Sequence, residues 1–178
     1  MGFTINSANI DDLPGVMELI GAVIQRMEAE GIHQWDSIYP TADNFASDIN
    51  QRALFVIKQD GNIIAVMALN DQQSKEYAAI AWQYPAERVL VVHRLAVHPQ
   101  CQGQGVAQQM MAFAEEYGRA QGYDAIRLDA YTENPRAVVL YVKQGYSKAG
   151  IIQFRKGSFW AFEKSLVTSR QVSRQGTA

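Results

Sequence analysis

Val89-Leu90-Val91-Val92-His93-Arg94-Leu95-Ala96-Val97, followed by Gln100-Cys101-Gln102-Gly103-Gln104-Gly105, is the stretch whose reading decides the fold. The first part is an apolar, valine-rich run interrupted by His93-Arg94, the pattern of a buried strand. The second part places two glycines immediately before a helical pattern. Glycine lacks a Cβ, so the backbone can take positive φ there and an anion can come close. Strand, glycine loop and helix start together turn bare backbone N–H groups toward one concavity, with the helix dipole adding partial positive charge. The economical reading is a pyrophosphate cradle. The same six residues also describe an ordinary glycine turn before a helix. They are not the nucleoside-triphosphate loop, which needs Lys-Ser/Thr after its last glycine, nor the dinucleotide fingerprint, because position 108 is Gln.

Downstream, Val106, Met110, Phe113, Ala114 and Tyr117 recur at helical spacing, and the helix closes near Gly122. Ala125-Ile126-Arg127-Leu128-Asp129-Ala130 is a strand, Asn134 to Lys143 a short helix stopped by Gly145, and Ser158 to Lys164 a last strand. Upstream, Phe3 to Asn6 is a short strand. Asn9-Ile10-Asp11-Asp12 then opens a helix with a capping residue and an acidic first turn. Leu13, Val16, Met17, Ile20, Val23, Ile24 and Met27 line one side of that helix, which ends near Gly31. Ile32 to Tyr39 is irregular and aromatic, and Thr41 to Arg52 carries Phe45 and Ile49 on one helical face. Residues 53–58 and 62–69, joined through Asp60-Gly61, read as a hairpin. Residues 71–86 read as a polar loop. A hairpin first and strand–helix–strand units after it give an α+β or mixed α/β class. Residues 1–167 read as a single domain and 168–178 as a polar, flexible tail.

With 178 residues and 48 % hydrophobic content, the chain suits one sizeable core. Its 16 basic and 18 acidic residues leave a net charge of −2 without a Lys/Arg run, so no nucleic-acid partner is expected. No apolar run approaches the roughly 20 residues of a membrane span, and no signal-peptide pattern is evident. The lone Cys101 excludes an internal disulfide and suits a reducing, cytoplasmic setting. The three histidines lack metal-site spacing, so no metal is expected.

Leu95-Ala96-Val97 before the loop and Asn134…Ala137…Tyr141…Gly145-Tyr146 after it resemble the GNAT superfamily of N-acetyltransferases. The resemblance is strong over residues 88–150 and extends by element order over almost the whole chain. Gly31-Ile32-His33-Gln34-Trp35…Tyr39-Pro40, with Gly157-Ser158-Phe159, is similar to a bacterial subgroup whose acceptors are poorly defined. The resemblance implies a GNAT-like fold, a mixed, strongly twisted sheet of about six to seven strands with helices on both faces. It implies acetyl transfer from acetyl-CoA to a primary amine, of a small molecule or a peptide, by direct attack in a ternary complex. Homodimers are common in the family. A CoA-binding sensor without catalysis and a protein N-terminal or lysine acetyltransferase are the alternatives.

Carried over residue by residue, the cofactor set is Leu95, Ala96, Val97, Gln102, Gly103, Gln104, Gly105, Val106, Ala107, Asn134, Ala137 and Tyr141. In the family the strand ending at Val97 bulges and splays from the next one. A bulge leaves ladder groups unpaired, free to bond an amide-rich pantetheine arm, and makes the Val97 N–H a donor for the thioester oxygen. Tyr141 is expected to protonate the departing thiolate. Some family members place a base, Glu, six residues before the Val97 position; here that residue is Val91, and His93 becomes the candidate base. Trp35 and Tyr39 are the expected walls of the acceptor groove.

Overall fold

The computed structural model describes residues 2–84 and 86–167. The expected tail, 168–178, lies outside the described residues. Seven strands form one sheet in the order β1-β2-β3-β4-β5-β7-β6, and every neighbouring pair is antiparallel except β4 with β5. Residues Ile5–Ser7 (β1), Leu54–Gln59 (β2), Asn62–Asn70 (β3) and Val89–Val97 (β4) make one half. Ala125–Tyr131 (β5), Ser147–Phe154 (β6) and Gly157–Ser165 (β7) make the other. The β2–β3 hairpin turns on Asp60 and Gly61, both at positive φ, which matches the right-handed twist of its strands.

Helices α1 (Leu13–Ala29) and α2 (Ala42–Asn50) cover one face of the sheet. Asn9 forms a capping box with Asp12 on a short 3-10 turn before α1, and Thr41 forms one with Asn44 at α2. Val16, Leu19, Ile20 and Val23 of α1 are buried against Leu54, Val56, Val66 and Ala96. Each such side chain contributes roughly 1.5–3 kcal/mol. Helices α3 (Val106–Ala120) and α4 (Pro135–Lys143) cover the opposite face, over Leu90, Val92, Ile126, Leu128 and Phe162.

The feature that positions the site is a short seam at the centre of the sheet. β4 and β5 pair only at Val89↔Ala125, Leu90↔Ile126 and Val91↔Arg127. Beyond Val91 the two strands separate. Arg94 sits in the left-handed region at φ 52, and the β3–β4 register slips between Val66 and Ala68. That is a β-bulge, and it turns β4 away from β5.

Candidate active site

The gap between β4 and β5 opens a cleft of about 460 Å³ that passes through the sheet. On the α3/α4 side it is walled by Val106, Ala107, Ala137, Leu140 and Tyr141, and on the α1 side by Val23, Met27, Ile32 and Trp35. Leu95, Ala96 and Val97 of β4 form one edge, and Asp129 and Ala130 of β5 form the other.

The glycine loop enters this cleft at its mouth. Gly103 lies at φ 78 and Gly105, which caps α3, at φ 82. No side chain caps α3, so the first N–H groups of the helix are left for a ligand that reaches them. A Cβ at Gly105 would stand 3.3 Å from Gln108 Oε1, within the cradle itself. Gln102 donates to the Val97 carbonyl at 3.1 Å and accepts from Arg136 at 3.1 Å, which ties the end of β4 to α4. Gln104 does not face the cleft among its lining residues; its amide donates to the Gln100 carbonyl at 2.9 Å and braces the loop. Arg26, Arg136 and Lys143 supply positive charge at the mouth, and Glu30 bridges Arg26 and Arg136 at 2.5 and 2.8 Å.

Deeper in, His98 N donates to the Ile64 carbonyl at 2.8 Å and Val97 stands opposite Ala65. Alternation along β4 therefore turns the Val97 N–H away from β3 and into the gap, where β5 no longer pairs with it. Tyr141 is buried at the cleft wall beside Phe162. Burial, and then the charge of Asp129, push its phenol well above the usual tyrosine range, so it holds its proton at neutral pH. Asn134 caps α4 through the Ala137 N–H, and its amide nitrogen donates to Gln34 at 3.1 Å, across the cleft.

Besides Gln104, two of the expected residues lie outside the cleft wall. His93 is not among the residues of the cleft wall. It precedes the bulge, on the opposite face from Leu95 and Val97, and its Nε2 lies 2.9 Å from Asn70 Oδ1. Burial first, and then the adjacent Arg94 charge, push its imidazole down to about 4, so it is neutral but a poor proton acceptor. Tyr39 is not among the residues of the cleft wall, and its hydroxyl accepts from Arg94 Nη1 at 3.0 Å. Arg94 in turn grips Asp48 of α2 through two hydrogen bonds of 2.8 and 2.6 Å. Trp35 does reach the cleft.

The strongest acid–base candidate in the cleft is one the sequence reading did not assign. Asp129 points from β5 to the α1 side, because Ile126, Leu128 and Ala130 take the α3 side. Its Oδ2 accepts from the Tyr77 hydroxyl at 2.8 Å. Burial raises its carboxyl to about 6, opposed by that hydrogen bond. The signal lay in Arg127 and Asp129, two polar residues at alternate positions of an otherwise apolar strand.

Among the described residues, no group of three or more His, Cys, Asp and Glu is placed to hold a metal ion, and no helix is long and apolar enough to cross a membrane. The acetyltransferase (GNAT) family profile matches residues 24–146. The chain is 24 % identical over 151 residues, 84 % of each chain, to the uncharacterized N-acetyltransferase YesJ of Bacillus subtilis. A GNAT-family acetyltransferase structure from Streptococcus agalactiae superimposes with a TM-score of 0.82 at 25 % identity, covering 93 % of this chain and 96 % of that one. The protein yncA of Salmonella typhimurium, solved with its cofactor acetyl-CoA, superimposes with a TM-score of 0.69 at 16 % identity, over 94 % and 96 % of the two chains.

Proposed function

Because this chain belongs to the acetyltransferase (GNAT) family, whose enzymes move an acetyl group from acetyl-CoA to an amine, we propose that it acetylates a primary amine by direct attack across the gap between β4 and β5. One observation carries this reading. The cleft pierces the sheet, with Tyr141 on the α3/α4 side and Asp129 turned to the α1 side. Acetyl-CoA enters from the α3/α4 side, its diphosphate against the amides of Gly103 to Gln108 and its pantetheine arm along Leu95 to Val97. Arg26, Arg136 and Lys143 favour the polyanionic end at the mouth.

The acceptor enters from the other side, past Trp35. An alkyl ammonium holds its proton near pKa 10.4, and only the free amine attacks. Asp129, ionised above about 6, collects that proton directly or through one water. The amine lone pair forms the new C–N bond to the acetyl carbon. Charge that grows on the carbonyl oxygen is met by the Val97 N–H, a donor of the kind whose removal costs about 10²–10³ in rate. The C–S bond breaks as Tyr141 donates its proton to the departing sulfur. A thiol pKa near 8.5 makes thiolate a fair leaving group already, so this help is modest.

The test mixes the protein with acetyl-CoA and a panel containing an alkylamine, an arylalkylamine, a polyamine and a peptide with a free N-terminus, and follows thiol release. Thiol release with at least one amine, and no acetylated enzyme by mass spectrometry when acetyl-CoA is given alone, supports direct attack. Calorimetric binding of CoA with no turnover across the panel favours a sensor instead.

A further inference from the structure

The loop between β3 and β4, residues 71–86, has no place in the mechanism so far, yet it is tied to the floor of the cleft with unusual thoroughness. Lys75–Ala79 of this loop form a 3-10 turn that buries Tyr77 to 3 % exposure. The Tyr77 hydroxyl donates to Asp129 Oδ2 at 2.8 Å. Trp82 donates from Nε1 to the Tyr77 carbonyl at 3.0 Å and packs its ring 5.3 Å from the Tyr77 ring. The Arg127 guanidinium lies over Trp82 at 4.1 Å and donates to Gln73 at 2.8 Å. The fully buried Glu163, opposite Arg127 on β7, accepts from the backbone N–H groups of Gln83 and Tyr84.

Building on the reading of Asp129 as the base, we infer that Tyr77 is a positioning residue for acetyl transfer: its hydroxyl fixes one carboxylate oxygen of Asp129 and leaves the other aimed into the cleft. A buried carboxylate on a strand has two rotamer-related oxygens and no reason of its own to present either one. Tyr77 removes that freedom, because Oδ2 is engaged by a donor that cannot itself accept a proton from an amine. Oδ1 is then the oxygen that meets the acceptor. Trp82, Arg127 and Glu163 act on Tyr77 in turn, by holding the loop that carries it. Among the described residues, the titratable groups that act with Asp129 are Tyr77, which hydrogen-bonds it from the loop, and Tyr141 of α4, which feels its charge from the other side of the gap. Arg127 lies two residues back on the same face, paired across the sheet with Glu163.

A hydrogen bond donated to a carboxylate favours its charged form, so losing it raises the carboxyl pKa. Tyr77→Phe keeps the ring packing and deletes only the donor. In the free protein, titration of the Asp129 carboxyl carbon by ¹³C NMR should then show a midpoint higher by on the order of one pH unit. Incorporation of 3-fluorotyrosine, a stronger donor, should move the same midpoint down. With the best amine of the panel, the acid limb of kcat/KM should shift upward in Tyr77→Phe and kcat should fall, while KM for acetyl-CoA stays put. In an Asp129→Asn background, Tyr77→Phe should cost little more. An unchanged Asp129 midpoint, or an equal loss of kcat with and without Asp129, overturns the role of Tyr77 and leaves the base in place. Full turnover by Asp129→Asn alone overturns the base itself, and this role with it.

Discussion

Replacing Asp129 with Asn should make the protein more stable and nearly inactive, and the gain in stability should depend on pH in a defined way. The Asp129 carboxyl holds its proton up to about 6 in the folded chain, against 3.8 for an unperturbed aspartate. Its folded pKa is thus raised, and the folded state binds the extra proton between those two values. Stability carried by that proton is complete below about pH 4 and is lost as pH rises through about 6. Above pH 6 the buried charge destabilises the fold by the full difference. About two pH units at 1.36 kcal/mol each is up to about 3 kcal/mol. Asn has nearly the same volume, still accepts from Tyr77, and carries no charge. At pH 7.5 Asp129→Asn should therefore raise Tm by up to about 6–12 °C, at roughly 2–4 °C per kcal/mol for a chain of this size. At pH 4 the two proteins should melt together. Turnover with the best amine should fall by about 10²–10⁴, the usual range for a lost general base. The assay is thermal melting by circular dichroism at pH 4, 5, 6 and 7.5, beside thiol release at the highest pH. A difference in Tm that is the same at pH 4 and pH 7.5, or a destabilised variant at pH 7.5, would refute the reasoning.

Tyr141→Phe should lower kcat roughly 10- to 100-fold and leave KM for acetyl-CoA within about twofold; a large affinity loss with unchanged turnover would contradict its role as proton donor to sulfur. Gly105→Val forces a β-branched residue into a conformation at φ 82 and crowds Gln108, so calorimetric affinity for CoA should drop at least about tenfold, and undisturbed binding would remove the cradle. Asp48→Ala strands the Arg94 guanidinium without its partner and should cost about 3–5 kcal/mol in urea unfolding. Adding Arg94→Gly to Asp48→Ala should restore part of that loss, because glycine suits φ 52 and removes the unpaired cation; a double variant less stable than Asp48→Ala would show that the pair is not what holds the bulge.

How far these features could be read from the chain alone depended on the reach of each interaction. α1 announces itself through its Asn9 cap and three-to-four spacing, and α2 and α3 through spacing alone, because helix formation is local. The β2–β3 hairpin is written in Asp60-Gly61, where the turn itself needs those residues. β6 escaped the reading. It is an edge strand with Ile152 its one buried residue, interrupted by a register shift near Gly150, so Ser147 to Phe154 carries no alternation to detect. The glycine loop was legible because its backbone geometry imposes glycines at 103 and 105. The pairing behind the proposed base was not, because Tyr77 and Asp129 meet across 52 residues of sequence. His93 looked suitable by residue type. Only the fold reveals that Arg94 breaks the alternation immediately after it and that Asn70 claims its ring. The loop 71–86 reads as a polar loop for a similar reason, since Arg127 and Glu163 act on it from positions far apart in the chain.

Since the opening runs from one side of the sheet to the other, the proposed placement of the two substrates gives this enzyme two-way traffic with separate doors. With the ligands placed as proposed, spent coenzyme would withdraw past α3 and α4 while the acetylated product backed out beneath α1, and neither would block the other's route. Release order is then a matter of relative affinity, not of queueing. A fresh amine can dock while CoA is still seated, so CoA should inhibit without competing against the amine.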